Sequence, residues 1–396
     1  SCGAGSLPRH STILTMASNF IFPADEVELC EAIMSAATKR ERLAIHGGSS
    51  KRDVGRLVDA TRLDMSTFTG IVDYDPHELV LTARAGTPLA DIQKLVAEQG
   101  QMLAFDPFDH GPLFGRPAGQ STIGGVVAAG AAGSQRLAFG GVRDHLLGCR
   151  AVSGRGELFV SGAKVVKNVT GFDIPKLLAG SWGRLAAITE LTLKVLPAPR
   201  LTVTLVLTGL DPVRAVAAMT AAMASQAEVA AAAHLPGTVA VTALRVQGFQ
   251  ASVTARCALL TQCLTVFGQL ESVAAKEGEA IWGALRTLAP LPSDRPLWKI
   301  SIPPAAGGAL VQQIEKTGAQ WLLDWAGGLV WVASDEPALV RSAAAEAGGH
   351  AMLVRAPPAM RDVVPAFHPQ AMGVAAIEQR VRRNFDPHGV FETGRF

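Results

Sequence analysis

A chain of 396 residues, 48% hydrophobic and 18% charged, can bury a sizeable core and suggests two domains or one large domain with an insertion. A formal net charge of +2 leaves no overall basic field, and no basic patch is interleaved with aromatics, which argues against nucleic acid as a partner. Cysteines at 2, 30, 149, 257 and 263 form no CxxC pair and no Cys/His metal spacing; they read as buried reduced thiols, with no metal site and no iron–sulfur cluster expected in this chain.

In chain order, the opening segment SCGAGSLPRHS lacks the basic-plus-apolar organisation of a signal sequence and stays outside the fold reasoning. A helix is expected over about residues 25–38, then a buried strand at LAIHG. A second strand falls on LVLTARAG, followed by a helix in TPLADIQKLVAEQG with Thr87 as N-cap, Pro88 in the first turn and Gly100 at the end. STIGGVVAAGAAGS, from Ser121, is too Gly-rich for an ordinary long helix. GVRDHLLGCRAVSGRGELFV reads as a strand, a turn at Gly154-Arg155-Gly156 and a returning strand, and LAAITELTLKVLP as a further strand. Pro197-Ala198-Pro199 closes this region. Beyond it, strands at LTVTLVLTG, TVAVTALRV, LWKISIP, GLVWVAS and HAMLVRA alternate with Ala-rich helices, which predicts an α+β layer with helices on one face. No run reaches the roughly 18 apolar residues of a membrane span. The nearest, from Ala215 to Leu235, is interrupted by Ser225, Gln226 and Glu228 and reads as a packed surface helix. The tail IEQRVRRNFDPHGVFETGRF is a short helix with an extended end.

The stretch LAIHGGSSKRDVG sets Gly47, Gly48, Ser49 and Ser50 between an apolar run and a basic segment. Small residues let backbone approach a ligand, and consecutive N–H groups can converge on an anion. The spacing matches neither the Walker loop nor the dinucleotide fingerprint, so phosphate loop and ordinary turn remain open from these residues alone.

KNVTGFDIPKLLAGSWGRLAAITELTLKV, residues 167–195, resembles the closing segment of the flavin domain in FAD proteins of the vanillyl-alcohol oxidase / p-cresol methylhydroxylase (PCMH) type. It departs from the family pattern at Ile174, Arg184 and Ala187 but keeps Thr170-Gly171-x-Asp173, Gly180-Ser181-x-Gly183 and Ile188-Thr189-Glu190. STIGGVVAAGAAG resembles the family's T-I-G-G segment, FGGVRDHLLGCRAVSGRGE its Y-G-x-x-x-D-x-V-L-G strand and turn, and LAIHGGSS falls where the family places its first pyrophosphate loop. Within the family, LWKISIPP, WLLDWAGGLVWV and FDPHGVFETGRF are similar to the cap and C-terminus of FAD-binding subunits of bacterial glycolate oxidases, with Glu392 standing where Asn is common.

The resemblance implies an α+β chain: a PCMH-type two-subdomain FAD-binding domain at 12–199, an α+β cap with an antiparallel sheet at 200–375, and a tail at 376–396 that returns to the FAD domain. It implies FAD as cofactor. Ile45, His46, Gly47, Gly48, Ser49 and Ser50 would meet the pyrophosphate, with the Gly48 backbone against phosphate. Ser121, Thr122, Gly124, Gly125, Ala128 and Gly130 would follow the flavin's other side, Gly124 and Gly125 because ring and backbone must touch. Arg143 and Asp144 precede a strand, Arg143 reading equally as a solvated ion pair, and Ile188 would pass the adenine or ribose. Relatives with covalent flavin commonly carry His just after the Gly-Gly pair; Ser49 stands there, so the FAD is expected to be non-covalent.

The catalytic side is thinner. None of the nine histidines forms H-x-H, and the cap has no His-rich acidic cluster, so a metal-assisted base is not expected, and His350 or His368 reads as surface or core. Trp298, Lys299, Asp324 and Trp325 fall on two predicted strands and are expected to line the flavin's open face; core or subunit contact is the alternative. The implied function is oxidation of glycolate, a small 2-hydroxy acid, within a complex holding a second FAD subunit and an iron–sulfur subunit, cytoplasmic and peripheral to the inner membrane through those partners. A self-sufficient FAD oxidase or dehydrogenase of another alcohol or hydroxy acid, and a non-redox scaffold stabilised by FAD, are the alternatives.

Overall fold

A computed structural model of the chain describes residues 20–162 and 172–396. The motif residues Thr170 and Gly171, and the residues from 12 assigned to the first domain, up to 19, lie outside the described residues.

The first half contains two sheets. Strands β1 (Phe20–Ile21), β2 (Leu43–His46) and β3 (Thr61–Asp64) pair in parallel in the order β1-β3-β2, with helix α1 (Glu26–Lys39) between the first two in sequence. Asp25 starts α1 by accepting the N–H groups of Val27 and Glu28, both at 2.9 Å, and Leu29, Ile33 and Ala36, spaced four and three apart, bury its inner face. Strands β4 (Ile71–Asp75), β5 (Val80–Arg84), β7 (Leu146–Ser153), β8 (Leu158–Gly162) and β9 (Ala186–Lys194) form an antiparallel sheet in the order β4-β5-β9-β7-β8. Between β5 and β7 the chain leaves the sheet for α2 (Leu89–Glu98), the short strand β6 (Gln101–Met102), α3 (Ile123–Ala129), α4 (Arg136–Phe139) and α5 (Val142–His145); α6 (Ile174–Leu178) precedes β9, and β10 (Leu196–Pro197) pairs with β6. Thr87 does not cap α2: Pro88 holds that position, and the Thr87 hydroxyl bonds the carbonyls of Arg84 and Gly70 instead.

The cap is one eight-stranded antiparallel sheet. Its strands are β11 (Leu201–Thr208), β12 (Ala231–Leu235), β13 (Val241–Gly248), β14 (Glu271–Ser272), β15 (Leu297–Ser301), β16 (Gln320–Asp324), β17 (Leu329–Ala333) and β18 (His350–Arg355), ordered β14-β11-β13-β12-β16-β17-β15-β18. The Ala-rich stretch is not one helix. Helix α7 (Pro212–Ala224) stops before Ser225, and Ala231–Leu235 is strand β12 in mid-sheet. Its alanines alternate between the two faces, Ala232 in one core and Ala231 and Ala233 in the other, where small side chains admit close layers.

Helices cover both faces, not one. Helices α7, α8 (Gln250–Cys263), α10 (Gly307–Glu315) and α11 (Pro337–Glu346) pack on the first face. The second takes α9 (Ala275–Thr287) through Trp282 and Leu285, and also Phe108 and Leu113 of the first half. That second face is the seam between the halves. It is tied by the Trp325 indole N–H to the Gly133 carbonyl at 3.0 Å, Ser134 Oγ to Asp324 at 2.7 Å, and Arg355 to the Leu113 carbonyl at 2.7 Å. After α12 (Pro358–Val363) and α13 (Met372–Phe385) the chain runs back to the first sheet: the Leu43 N–H donates to the Val390 carbonyl, and Val390 and Phe391 complete the core under α1. The four described cysteines are free, and only Cys149 is buried, so the expectation of buried thiols holds for that one alone.

Candidate functional site

Strand β2 runs directly into the Gly-rich loop, and the loop forms one wall of a cleft of about 780 Å³ that opens to solvent. Ile45, His46, Gly47, Gly48, Ser49 and Ser50 line it, joined by Lys51, Arg52, Met65 and Ala85. The opposite wall is α3, which contributes Thr122, Gly124, Gly125, Ala128 and Ala129, and the far end is closed by Trp182, Gly183, Ala186, Ile188 and Arg395. Among the described residues the lining holds three basic side chains, Lys51, Arg52 and Arg395, and no Asp or Glu.

The glycines serve different purposes. A Cβ on Gly48 would fall 1.4 Å from the Gln120 carbonyl oxygen, and one on Gly47 2.4 Å from Thr122 Oγ1. These two glycines therefore admit the segment leading into α3, and a side chain on Gly48 would strike the Gln120 backbone instead of displacing a phosphate; both glycines also line the cleft. A Cβ on Gly124 would meet Ala85 at 2.7 Å, so Gly124 seats α3 on the sheet instead of facing a ring. Gly125 differs: its only neighbour would be Thr122 Oγ1 at 3.2 Å, and its open side belongs to the cleft.

Behind the loop a polar relay fixes its shape. Asp109 accepts from Ser121 Oγ at 2.7 Å and from the N–H groups of Gly111 and Gly119 at 2.8 and 2.7 Å. Because the Ser121 proton goes to Asp109, Ser50 Oγ, 3.0 Å away, donates to Ser121, and Lys51 Nζ at 3.4 Å donates to Ser50. Burial works to raise the Asp109 carboxyl, but the bonds from Gly111, Ser121 and Gly119 and the Lys51 charge outweigh it and hold it below its usual value. Burial pushes the Lys51 ammonium down to about 8, with Asp109 opposing. His46 falls to about 4 because it is buried and lies near Arg62 and Arg395; its Nδ1 is 3.3 Å from Ser49 Oγ. Arg395 secures the loop from the far end of the chain, donating to the carbonyls of Val54 and Lys51. Arg361 of the cap donates to the Asp53 carbonyl at 2.8 Å.

Other expected residues lie elsewhere. Ser121 stands behind the loop as a strut. Gly130 ends α3 in the left-handed conformation and abuts Gly180. Arg143 and Asp144 are on α5, outside the lining; Asp144 accepts the Gly141 N–H at 2.8 Å and closes its own turn. Trp298 is corrected to core: it is 0% exposed, packs on the helical face, and donates its indole N–H to the Ser334 carbonyl at 3.0 Å. Trp298 and Lys299 are consecutive on β15, so they cannot share a face. Lys299 pairs with Trp331 in the register of β15 with β17 and points to the seam, where Trp325 also sits. Lys51, Trp182 and Arg395 were not singled out from sequence. Lys51 directly follows the loop, Trp182 lies inside Gly-Ser-Trp-Gly with φ +56°, and Arg395 inside the tail motif, so each carried a local sign but no indication of its direction.

Residues 17–162 match the family model described as FAD binding domain, and FAD is the cofactor of this fold. The chain is 34% identical over 375 residues to glycolate oxidase subunit GlcE of Escherichia coli K12, covering 93% of this chain and 96% of that protein. It is 31% identical over 182 residues to a D-lactate dehydrogenase of Anaerostipes hadrus, covering 46% of this chain and 35% of that one. Among solved structures, alkyldihydroxyacetonephosphate synthase superposes with a TM-score of 0.64 at 15% identity over 94% of this chain and 76% of the other, a likeness of fold alone. The fold is thus the PCMH-type α+β architecture with an antiparallel cap. Because the similarity to GlcE takes in cap and tail as well as the FAD binding domain, the chain belongs to the GlcE family of glycolate oxidase subunits.

Proposed function

We propose that this chain is the FAD-binding subunit of a multi-subunit glycolate oxidase, converting glycolate to glyoxylate in complex with a second flavin subunit and an iron–sulfur subunit that passes electrons to an acceptor such as quinone. The observation that carries the reading is the cleft: a Gly-rich loop and a helix face enclose a space lined, among the described residues, by three basic side chains and no carboxylate. Two phosphates buried against protein require that balance of charge.

The residues fit FAD. Lys51 brings a buried ammonium whose one bond among the described residues is the long one to Ser50. Gly125 leaves its side of α3 open. In this reading Ile45 to Lys51 and Thr122 to Gly125 hold the pyrophosphate, and Ile188 and Trp182 flank the aromatic ends. Among the described residues the lining includes no Cys or Tyr, and His46 Nδ1 lies 3.3 Å from Ser49 Oγ, which supports non-covalent FAD. When bound, FAD supplies two-electron oxidation at the substrate's α-carbon.

Loss of hydride from that carbon also requires the hydroxyl proton to leave, so a base must be in reach. Among the described residues of the lining, His46 is the one titratable base apart from the cations. Among the described residues no three His, Cys, Asp or Glu side chains converge as a metal site. These features support placing the base on a partner subunit. No helix among the described residues is long and apolar enough to cross a membrane, and in this reading the cytoplasmic chain meets the inner membrane through its partners.

The test is anaerobic mixing of the purified FAD-loaded chain with excess glycolate while flavin absorbance is followed. The expected result is slow, incomplete bleaching alone and rapid bleaching once the partner subunits are added. Rapid, complete bleaching of the isolated chain would establish a self-sufficient dehydrogenase instead.

A further inference from the structure

The seam between the cap and the first half holds a group of charges that the flavin cleft does not use. Trp325 lies at its centre, in the turn between β16 and β17. Trp325 and Ala326 both adopt the left-handed conformation, φ +52° and +55°, which non-glycine residues hold only where surroundings enforce it. The enforcing contacts are the indole N–H to the Gly133 carbonyl and the backbone N–H to Asp324 Oδ1 at 2.7 Å.

Two cations share that indole. The Arg136 guanidinium, from α4, lies 4.3 Å from its centroid, and the Lys299 ammonium, from β15, lies 5.5 Å from it and 6.0 Å from the Trp331 ring. Among the described residues neither cation has a hydrogen-bond or ion-pair partner, whereas the other seam cations do: Arg245 and Arg286 approach Asp106 at 4.0 and 3.7 Å. Asp324 is engaged by neutral donors, Ser134 Oγ and the Trp325 N–H. Of the seam cations, Arg245 and Arg286 face Asp106 and Arg355 is bonded to backbone carbonyls, so the unpartnered charge among the described residues is that of Arg136 and Lys299. The two acids line a separate seam cavity of about 320 Å³ with Arg286 and Trp331, and Lys299 is not part of that lining. Both Arg136 and Lys299 act to lower His350, and Lys299 and the cleft residue Lys51 both act on His110, whose Nδ1 is buried without a partner. Helix α3 links the two sites directly, since Ala129 lines the cleft and Ser134 and Arg136 follow it into the seam.

We propose that Arg136 and Lys299, brought together from the two halves around the Trp325 indole, form a binding site for the carboxylate of a small 2-hydroxy acid. A carboxylate accepts from guanidinium and ammonium together, and the indole offers an apolar wall to the short carbon chain. This rests on the function proposed above and adds that the substrate's anionic end is held by this chain, even where a partner supplies the base.

The test uses the FAD-loaded full chain and oxalate, which has no hydrogen to yield, with glycolamide as the uncharged control. Calorimetry and tryptophan fluorescence should both show saturable oxalate binding and none of glycolamide. Lys299→Gln and Arg136→Gln should each weaken oxalate binding about tenfold or more, the loss expected for one charge-assisted bond, at unchanged FAD content. Arg136 is exposed, so its variant keeps the test valid if Lys299→Gln fails to fold. Absence of saturable binding to the parent, or Arg136→Gln titrating like the parent, would overturn the site. Failure of the assembled complex to oxidise glycolate would count against the proposed function and leave the oxalate result standing.

Discussion

The backbone of Gly48 passes so close to that of Gln120 that a Cβ would sit 1.4 Å from the Gln120 carbonyl oxygen. Backbone cannot yield as a flexible side chain does, so Gly48→Ala must push the loop and the start of α3 apart. The expected cost is about 1–3 kcal/mol of stability in the FAD-free protein, read by urea denaturation, with weakened FAD binding as its consequence. Gly125→Ala should behave in the opposite way. It should retain the parent's stability without cofactor but bind FAD more weakly, because its methyl enters the cleft. A Gly125→Ala protein with parental FAD affinity would remove Gly125 from the binding surface.

Lys51 is a charge buried for a partner that the protein itself supplies only in part. Lys51→Met should leave the FAD-free protein as stable as the parent or more so, since an apolar chain replaces a buried, weakly paired ammonium. The same variant should bind FAD about tenfold more weakly. Binding by the parent should also weaken as pH rises through about 8, where the Lys51 charge is lost, and Lys51→Met should lack that dependence. Fluorescence titration of FAD from pH 7 to 9 measures both.

His46 and His234 are each depressed to about 4, chiefly by burial. In the window between about 4 and the usual value of 6.5 the unfolded chain binds the protons that the folded chain refuses. Their contribution is therefore complete above pH 6.5 and is lost as pH falls toward 4. Asp324, raised to about 6 by burial, acts in the opposite sense over part of that range. The clean reading is one residue at a time: His234→Gln, in a site where Nδ1 meets Thr242 Oγ1 at 2.9 Å, should flatten the loss of stability between pH 7 and 5 by on the order of 1–3 kcal/mol. An unchanged slope would show that His234 titrates normally.

Arg395 supplies bonds to the carbonyls of Val54 and Lys51, and Arg395→Ala leaves both without that donor. The expected loss is about 1–3 kcal/mol, with faster hydrogen exchange confined to the loop after β2. Uniform loss of protection across the protein would indicate a global instead of a local role.

What was legible in the sequence was whatever repeats locally. Alternation and turn residues located β7, β8 and β9, and a helix over about 25–38 is α1. The loop LAIHGGSS reads from its own residues as phosphate loop or turn, and only the family resemblance assigns it to the pyrophosphate. The alternation of β15 also held the answer for Trp298, since neighbours on a strand face opposite ways; what was missing was which face met the first half. The β12 alanines were misread because helix propensity favours alanine, while a two-sided mid-sheet position selects it for size. Gly48 and Gly124 read from sequence as ligand contacts, whereas a Cβ on either would meet Gln120 or Ala85. Those contacts join residues 72 and 39 positions apart, and no local pattern encodes them.

The return of the tail to β2 has a bearing on how the protein is made. The loop that follows β2 leaves the ribosome early, yet its backbone is bonded by Arg361 and Arg395, and the core beneath α1 is closed by Val390 and Phe391. Domains synthesised first can ordinarily fold while the rest is still being translated. Here the N-terminal sheet must wait, half-assembled, through the synthesis of the entire cap, and tight uptake of the cofactor becomes a late event that marks a finished polypeptide.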